Sequence, residues 1–192
     1  MHLVHEYFKR IAPVPPDAWQ VLEPLFVLTD LPKGTYFARA GEVAHSVGLL
    51  ESGLLRAFYS SAMGAEYNKH FFQAPALFGA YASLVTGQPS QIQIQALTDS
   101  RAWVARYADF ETLLPAWPAL EHLARRWAEL LYVQKEEREI EIVLLGAEQR
   151  YQLLRQRHPN LEQLVPQYHI ASYLGITPTQ LSRVRRALVQ PR

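Results

Sequence analysis

Cysteine is missing from this chain of 192 residues, and its absence removes several kinds of chemistry at once. Without thiols there can be no disulfide, thiolate zinc site, cysteine-ligated iron–sulfur cluster or cysteine nucleophile. The sequence also lacks a run of about 18 apolar residues, the length that a membrane-spanning helix requires. Its first ten residues show no basic segment followed by an apolar one, so we expect no secretion signal and a cytoplasmic protein.

Motifs for catalysis and metal binding are missing as well. The seven histidines lie mostly singly, without the His-x-His or His-Glu-x-x-His spacing of metal enzymes. We interpret His70 as a core or surface histidine, with a lone haem ligand as the alternative. No Ser-His-Asp order, glycine-rich phosphate loop or paired-carboxylate pattern stands out. We therefore expect no enzymatic activity, no metal site and no resident cofactor, and the spacing argues against a β-barrel metal enzyme.

Charge is nearly balanced overall but unevenly distributed along the chain. The net charge is +1, whereas residues 146–192 carry seven arginines and two glutamates, a net charge of +5. Hydrophobic residues make up 49% and charged residues 19%, a composition typical of a globular protein with a substantial core. A positive end of this kind indicates contact with nucleic acid, and a merely soluble basic tail is the alternative.

The stretch from Gln167 to Arg186 reads QYHIASYLGITPTQLSRVRR and has the spacing of a DNA-binding helix-turn-helix. Ala171 is small where the two helices would come closest, and Gly175 suits a turn at positive φ. Thr177 is a good N-cap for the second helix, with Pro178 at the first helical position. The apolar residues that would join the helices are Ile170, Leu174, Ile176, Leu181 and Val184.

The second helix of this motif would expose hydrogen-bonding and cationic side chains of the kinds that contact bases and phosphates. These candidate DNA-binding residues are Thr177, Thr179, Gln180, Ser182, Arg183, Arg185 and Arg186. An ordinary helical hairpin with a solvated basic face is the alternative interpretation.

Periodicity divides the chain into three segments. The first segment is residues 1–116. Its glycines, from Gly34 to Gly87, separate short apolar runs at intervals of 5 to 15 residues, which predicts an antiparallel sandwich or barrel. Residues 91–96, QIQIQA, alternate as a half-buried strand does. Residues 117–145 keep apolar spacings of three and four, which predicts one long helix of about seven turns that pairs in a dimer or packs on its own domain. Residues 146–192 hold the helix-turn-helix.

The order of small β-sandwich, long helix and helix-turn-helix resembles the Crp/Fnr family of bacterial transcription regulators. Residues 31–59, LPKGTYFARAGEVAHSVGLLESGLLRAFY, look like the first strands of the family's cyclic-nucleotide-binding-like β-roll. Residues 71–100, FFQAPALFGAYASLVTGQPSQIQIQALTDS, look like the segment with its phosphate-binding cassette. Residues 170–186, IASYLGITPTQLSRVRR, are close to its helix-turn-helix signature. The resemblance implies an α+β protein with a jelly-roll-like sensor domain, a dimerisation helix and a DNA-binding domain.

The resemblance also implies partners and roles. Two copies would pair through the helix at 117–145 and place two recognition helices about 34 Å apart on a palindromic DNA site. Arg183 matches the family's recognition arginine and is the candidate for a bidentate guanine contact, with Thr179 and Gln180 at the other base-reading positions. Arg185 and Arg186 are expected at phosphates, with a solvated helix end as the alternative. RNA polymerase is a further candidate partner.

The cassette departs from the pattern of cyclic-nucleotide binders in this family. Where these have a Gly-Glu pair, this chain reads Phe78-Gly79-Ala80, and Ser90-Gln91 stands where they have an arginine followed by Ser or Thr. A buried phosphate without a cationic partner is costly. We therefore expect no useful binding of cAMP or cGMP. An unknown small-molecule effector or a β-roll that is purely a scaffold both remain open.

Two further expectations concern the wing that usually follows the helix-turn-helix and the function of the helix-turn-helix itself. The sequence ends six residues after Arg186, where family members usually continue into a β-hairpin wing. Either the protein is a short form without the wing, or this sequence is a piece of a longer one. Without a wing we expect fewer phosphate contacts and a flatter salt dependence. The alternative to a transcription regulator is a ligand-binding or protein-interaction module with a vestigial helix-turn-helix.

Overall fold

The computed structural model describes residues 2–189, and two four-stranded antiparallel sheets form its β-roll. One sheet has the order β1-β8-β3-β6 and the other β2-β7-β4-β5. The strands are β1 Val27–Leu31, β2 Tyr36–Ala38, β3 Ser46–Ser52, β4 Leu54–Ser60, β5 Glu66–Gln73, β6 Ala76–Phe78, β7 Gln93–Ala96 and β8 Ser100–Arg106. The predicted antiparallel β-roll is confirmed. The strand expected at 91–96 begins two residues later, because the hydroxyl of Ser90 holds the backbone of Ile92 out of the ladder.

The helices precede, interrupt and follow the β-roll. They are α1 His2–Lys9, α2 Pro16–Leu22, α3 Tyr81–Thr86, α4 Tyr107–Leu113, α5 Pro118–Leu144, α6 Ala147–Arg157, α7 Leu161–Leu164, α8 Gln167–Leu174 and α9 Pro178–Val189. The 27 residues of α5 make it about 40 Å long, as the periodicity predicts. Within residues 2–189, no helix is long and apolar enough to cross a lipid bilayer.

Strand β4 separates two hydrophobic cores, because neighbouring strand residues point to opposite faces. Leu55 belongs to the interior of the β-roll, together with Phe78 and Ile94. Leu54 joins a second core with Phe71 of β5, and the other members of that core come from the C-terminal helices. Leu54 and Phe71 are each only 1% exposed. The helix-turn-helix region is therefore packed directly onto the outer face of the β4–β5 sheet.

A third core fastens the N-terminal helices and the start of α5 to the other sheet. Its buried residues include Val4, Leu22 and Leu49, and Leu120 and Leu123 contribute the first turns of α5. Beyond these turns α5 buries little of its surface, with Glu141 as the further buried residue among those described. The far half of the long helix contacts α8 through Arg138, which donates to the carbonyl of Tyr173, and α6 through the ion pair of Glu141 with Arg157.

Candidate nucleic-acid interface and sensor cassette

Gly175 makes the sharp turn between α8 and α9. Its φ of 68° and ψ of 31° lie in the left-handed region, which glycine adopts at least cost. The amide of Ile176 donates to the carbonyl of Ala171 at 3.0 Å, and that of Gly175 donates to the carbonyl of Ser172 at 3.2 Å. This pair of bonds is a Schellman motif and satisfies carbonyls at the end of α8. The glycine turn expected from the sequence is present.

Thr177 and Gln180 cap the start of α9 reciprocally. The amide of Gln180 donates to Oγ1 of Thr177 at 3.2 Å, and the amide of Thr177 donates to Oε1 of Gln180 at 2.8 Å. This capping box satisfies two amides that a helix start leaves free, and Pro178 begins the helix as the sequence predicts. Gln180 would have to leave the cap before it could contact an adenine, so its base-reading role stays a prediction.

One face of α9 is exposed and polar. Thr179, Ser182, Arg183 and Arg186 are all exposed and stand at the spacings of three and four that place residues on one side of a helix. Leu181, between them, is fully buried against the other helices. The helix therefore presents two hydroxyls and two guanidinium groups outward, in the positions where the sequence places candidate base and phosphate contacts.

Arg185 lies elsewhere, and this corrects the expectation that it belongs to the exposed face. Its Nε donates to the hydroxyl of Tyr151 at 3.1 Å, and its Nη2 forms an ion pair with Glu162. Tyr151 in turn donates to Glu162 at 2.7 Å. Arg185 thus connects α9 to α6 and α7, and a phosphate contact would compete with these internal bonds.

In the cassette the polar groups are turned inward on the segment itself. The hydroxyl of Ser90 donates to the carbonyl of Ile92 at 2.8 Å, and that of Ser83 donates to the carbonyl of Gln88 at 2.5 Å. Gln91 is exposed, whereas Ala80 is buried. Residues 71–100 contain no Lys, Arg or His. A phosphate would therefore find neither a free hydroxyl at Ser83 or Ser90 nor a cationic side chain within residues 71–100.

Aromatic rings fill the interior of the β-roll next to the cassette. The ring of Phe78, which is 2% exposed, meets that of Phe37 edge-on with centroids 4.6 Å apart. Phe72 packs on the other side of Phe78, with centroids 6.0 Å apart. Gly48 lies opposite Phe78 in the β3–β6 ladder, and a Cβ at this glycine would overlap the ring. These three rings therefore belong to the core of the β-roll.

The second half of α5 exposes a row of apolar side chains. Val133 and Ile140 are about half exposed, and Val143 and Leu144 are each 72% exposed. Ile140 follows Val133 by seven residues, and Val143 and Leu144 follow Ile140 by three and four, which are the spacings of a stripe that pairs with another helix. This stripe is where the predicted dimer contact would form.

The contact between α8 and β5 was not predicted from the sequence. The hydroxyl of Ser172 accepts a hydrogen bond from the amide of Asn68 at 2.9 Å and donates to the carbonyl of Glu66 at 2.8 Å. A cleft of about 590 Å³ opens beside it, between β5 and the turn at Gly175. The sequence signal of a helix-turn-helix lies in the face that joins its two helices, so the opposite face of α8 carried no interpretable pattern.

The expectation of a missing wing concerns the chain after Val189, outside the described residues.

Comparison with known proteins agrees with this geometry. The cyclic nucleotide-binding domain family matches residues 28–116. The catabolite activator protein of Thermus thermophilus is similar in structure, with a TM-score of 0.59, 22% sequence identity, and coverage of 93% of this chain and 85% of that one. FixK2 of Bradyrhizobium japonicum gives a TM-score of 0.72, with 16% identity and coverage of 85% and 84%. The c-di-GMP-responsive regulator CLP of Xanthomonas campestris gives 0.66, with 14% identity and coverage of 88% and 89%. No curated protein sequence is significantly similar to this chain.

Proposed function

Because residues 28–116 form a cyclic nucleotide-binding domain in a chain with the fold of Crp/Fnr-type regulators, we propose that this protein is a sequence-specific, DNA-binding transcription regulator. It works as a homodimer on a palindromic site and is not controlled by cAMP or cGMP. The proposal rests above all on α9, whose exposed face carries Thr179, Ser182, Arg183 and Arg186. This helix is fixed at its start by both the Schellman turn and the capping box.

A fixed and exposed helix of this composition suits the major groove of DNA. Arginine donates two hydrogen bonds to guanine, hydroxyls contact bases or phosphates, and a helix fits the width of the groove. Arg183 lies in the middle of the exposed face and is the proposed guanine contact. Arg186, one turn further along, is the proposed phosphate contact.

Dimerisation is supported by α5. A helix whose apolar residues stay exposed over its far half gains stability when a second copy covers them, at roughly 25 cal/mol per Å² of apolar surface buried. Paired α5 helices would hold two copies of α9 about 34 Å apart, one turn of duplex. RNA polymerase is proposed as a further partner because of the resemblance to Crp/Fnr-type regulators.

The lack of cyclic-nucleotide control is supported by both charge and space. No cation stands within residues 71–100 to neutralise a phosphate, and Phe37, Phe72 and Phe78 fill the adjoining interior. Moving a phosphate out of water without a partner cation costs on the order of several kcal/mol or more. A different effector, or none, is consistent with the same arrangement.

DNA titration at several salt concentrations tests the proposal. The protein is added to a labelled fragment of its own upstream region and, separately, to a scrambled fragment of the same composition. We expect tighter binding to the upstream fragment, and Arg183→Ala should weaken that binding by about 1–3 kcal/mol and reduce the preference. Arg10→Ala removes the same charge from an exposed position far along the chain and serves as the matched control.

One observation favours the alternative, a ligand-binding or protein-interaction module with a vestigial helix-turn-helix. Gln180 and Arg185 are both engaged within the protein, which reduces the set of side chains ready for DNA. This alternative predicts equal, weak binding to both fragments and no difference between the Arg183 and Arg10 variants. The same titration therefore decides between the two functions.

A further inference from the structure

A buried arginine on β4 faces the helix-turn-helix rather than the interior of the β-roll. The Arg56 residue is 4% exposed, and its guanidinium lies 3.7 Å above the ring centre of Phe58. Its Nη1 donates to Glu66 at 2.5 Å, and its Nε and Nη2 donate to the amide oxygen of Gln95 at 3.1 and 2.8 Å. A buried guanidinium needs partners of this kind because desolvation is costly.

The remaining partner of Arg56 is His169 of α8. Nη1 of Arg56 lies 3.2 Å from Nδ1 of His169, and the amide nitrogen of Asn68 lies 3.2 Å from the same atom. The orientation of the Asn68 amide is set by its neighbours, since its oxygen accepts from Arg56 and its nitrogen donates to the carbonyl of His169 at 3.0 Å. Both groups that face Nδ1 are donors, so this nitrogen must accept and the ring must be neutral.

We propose that Arg56, Glu66, Asn68, His169 and Ser172 form a latch between the β-roll and the helix-turn-helix, and that the latch opens when His169 takes up a proton. Protonation would place an N–H at Nδ1 of His169, directed at the guanidinium of Arg56 and the amide N–H of Asn68. Nδ1 could then no longer accept the hydrogen bonds that hold α8 against β4. Ser172 completes the latch at the edge of the sheet, where it bonds the backbone of both Glu66 and Asn68.

The charges around His169 determine the direction of the pH effect. Arg56 of β4 and Glu66 of β5 are the charged groups that face it, and Tyr168 packs on it with ring centroids 4.1 Å apart. Burial first, and then the charge of Arg56, lower the pKa of His169 from 6.5 to about 4, while Glu66 opposes the shift. Because the released state binds the proton more readily, the latch is intact above about pH 6.5 and weakens progressively as the pH falls towards 4.

The latch positions α9 without covering it. The residues of its exposed face remain exposed while α8 is docked, so docking fixes the orientation of the DNA-binding surface. Opening of the latch would leave the buried core around Leu54 and Phe71 as the main contact and loosen the orientation of α9. It would then cost affinity for a palindromic site, because a less fixed surface must be ordered on binding. This consequence for DNA rests on the proposed function, whereas the latch itself does not.

Amide hydrogen exchange of the full-length protein tests the latch without DNA. The amide of Asn68 is bonded to Ser172 across the two units, so its protection, corrected for intrinsic exchange, reports docking. Between pH 7.5 and 5.5 we expect opening to increase about tenfold in the natural sequence. His169→Gln keeps an acceptor but does not titrate, and should remove this increase. His45→Gln, an exposed histidine on the β-roll, is the matched control and should behave as the natural protein.

Two further arms keep the test decisive. His158 also lies at this junction, 6.4 Å from the ring of Phe71, so His158→Gln measures any separate contribution, and the difference due to His169 should persist in its background. An NMR titration of the His169 ring should give a pKa well below 6.5. Unchanged protection in the natural protein, an equal increase in His169→Gln, or an ordinary pKa for the ring would each overturn the latch.

Specific DNA binding at pH 5.5 should be stronger for His169→Gln than for the natural protein. Loss of DNA binding in all proteins would count against the proposed function alone.

Discussion

The cassette and the helix-turn-helix both resemble segments of one family in sequence, but they differ in where their polar groups point. In the cassette, Ser83 and Ser90 bond to backbone within the segment. In the helix-turn-helix, Thr177 and Gln180 also bond internally, yet four polar residues of α9 stay exposed. A motif therefore predicts the local fold in both places. Whether a ligand can be bound depends on which side chains the fold leaves available.

Dimer disruption should give the largest effect on the helix-turn-helix side of this comparison. Val143→Glu places a charge in the exposed apolar stripe of α5, where it cannot disturb the protomer's own core. We expect monomers in sedimentation and at least a ~100-fold loss of affinity for the palindromic site, since linked binding of two copies contributes about that much.

Lys135→Glu also places a carboxylate on this helix, at an exposed position two residues after Val133 that faces away from the stripe, and as the control it should leave both properties nearly unchanged. Leu130→Glu tests the same contact closer to the anchored half of α5, where the side chain is partly buried. If Val143→Glu stays dimeric and binds DNA normally, the exposed stripe is not the dimer contact.

On the cassette side, Gly48→Ala tests how tightly the aromatic rings fill the roll. The new methyl group would overlap the ring of Phe78, and overpacking of this kind costs about 1–3 kcal/mol. Phe78→Leu should relieve part of that cost, so the double variant should be more stable than the two single effects predict when added together. Urea denaturation of the four proteins measures the coupling, and simple additivity would show that the ring yields freely.

Much of this architecture can be predicted from the sequence, for identifiable reasons. Gly175 predicts the turn and Thr177 the helix cap, because few residue types suit those backbone positions. The apolar periodicity of α5, with no proline or glycine to interrupt it, predicts a long helix. The docking of α8 on β5 could not be predicted, because single residues such as Arg56 and His169 form no periodic pattern and lie 113 positions apart. Arg185 shows the same limit, since spacing alone does not distinguish an internal ion pair from a solvated one.

The capping box allows stability and DNA contact to be separated on neighbouring threonines. Thr177→Ala removes the hydroxyl that accepts the Gln180 amide and should cost about 1 kcal/mol of unfolding free energy. Thr179→Ala alters an exposed position on the recognition face, where about 0.5 kcal/mol or less is expected. Its effect should appear in the DNA titration instead. If both variants lose stability equally, the cap does not act as the structure indicates.

Cyclic nucleotides should produce the smallest effect of all. A ligand with a micromolar dissociation constant, present at a thousandfold excess over that constant, would stabilise the protein by about 4 kcal/mol and raise its melting temperature by several degrees. We expect no such shift with cAMP or cGMP, and no saturable heat in calorimetry. Gln91→Arg sharpens the test, because it places a cation near the site where nucleotide binders of the family have one. If the filled interior around Phe78 is the main obstacle, this variant will still not bind. Binding by Gln91→Arg alone would show that the missing charge separates the cassette from its relatives, and that the rings of Phe37 and Phe72 can move aside.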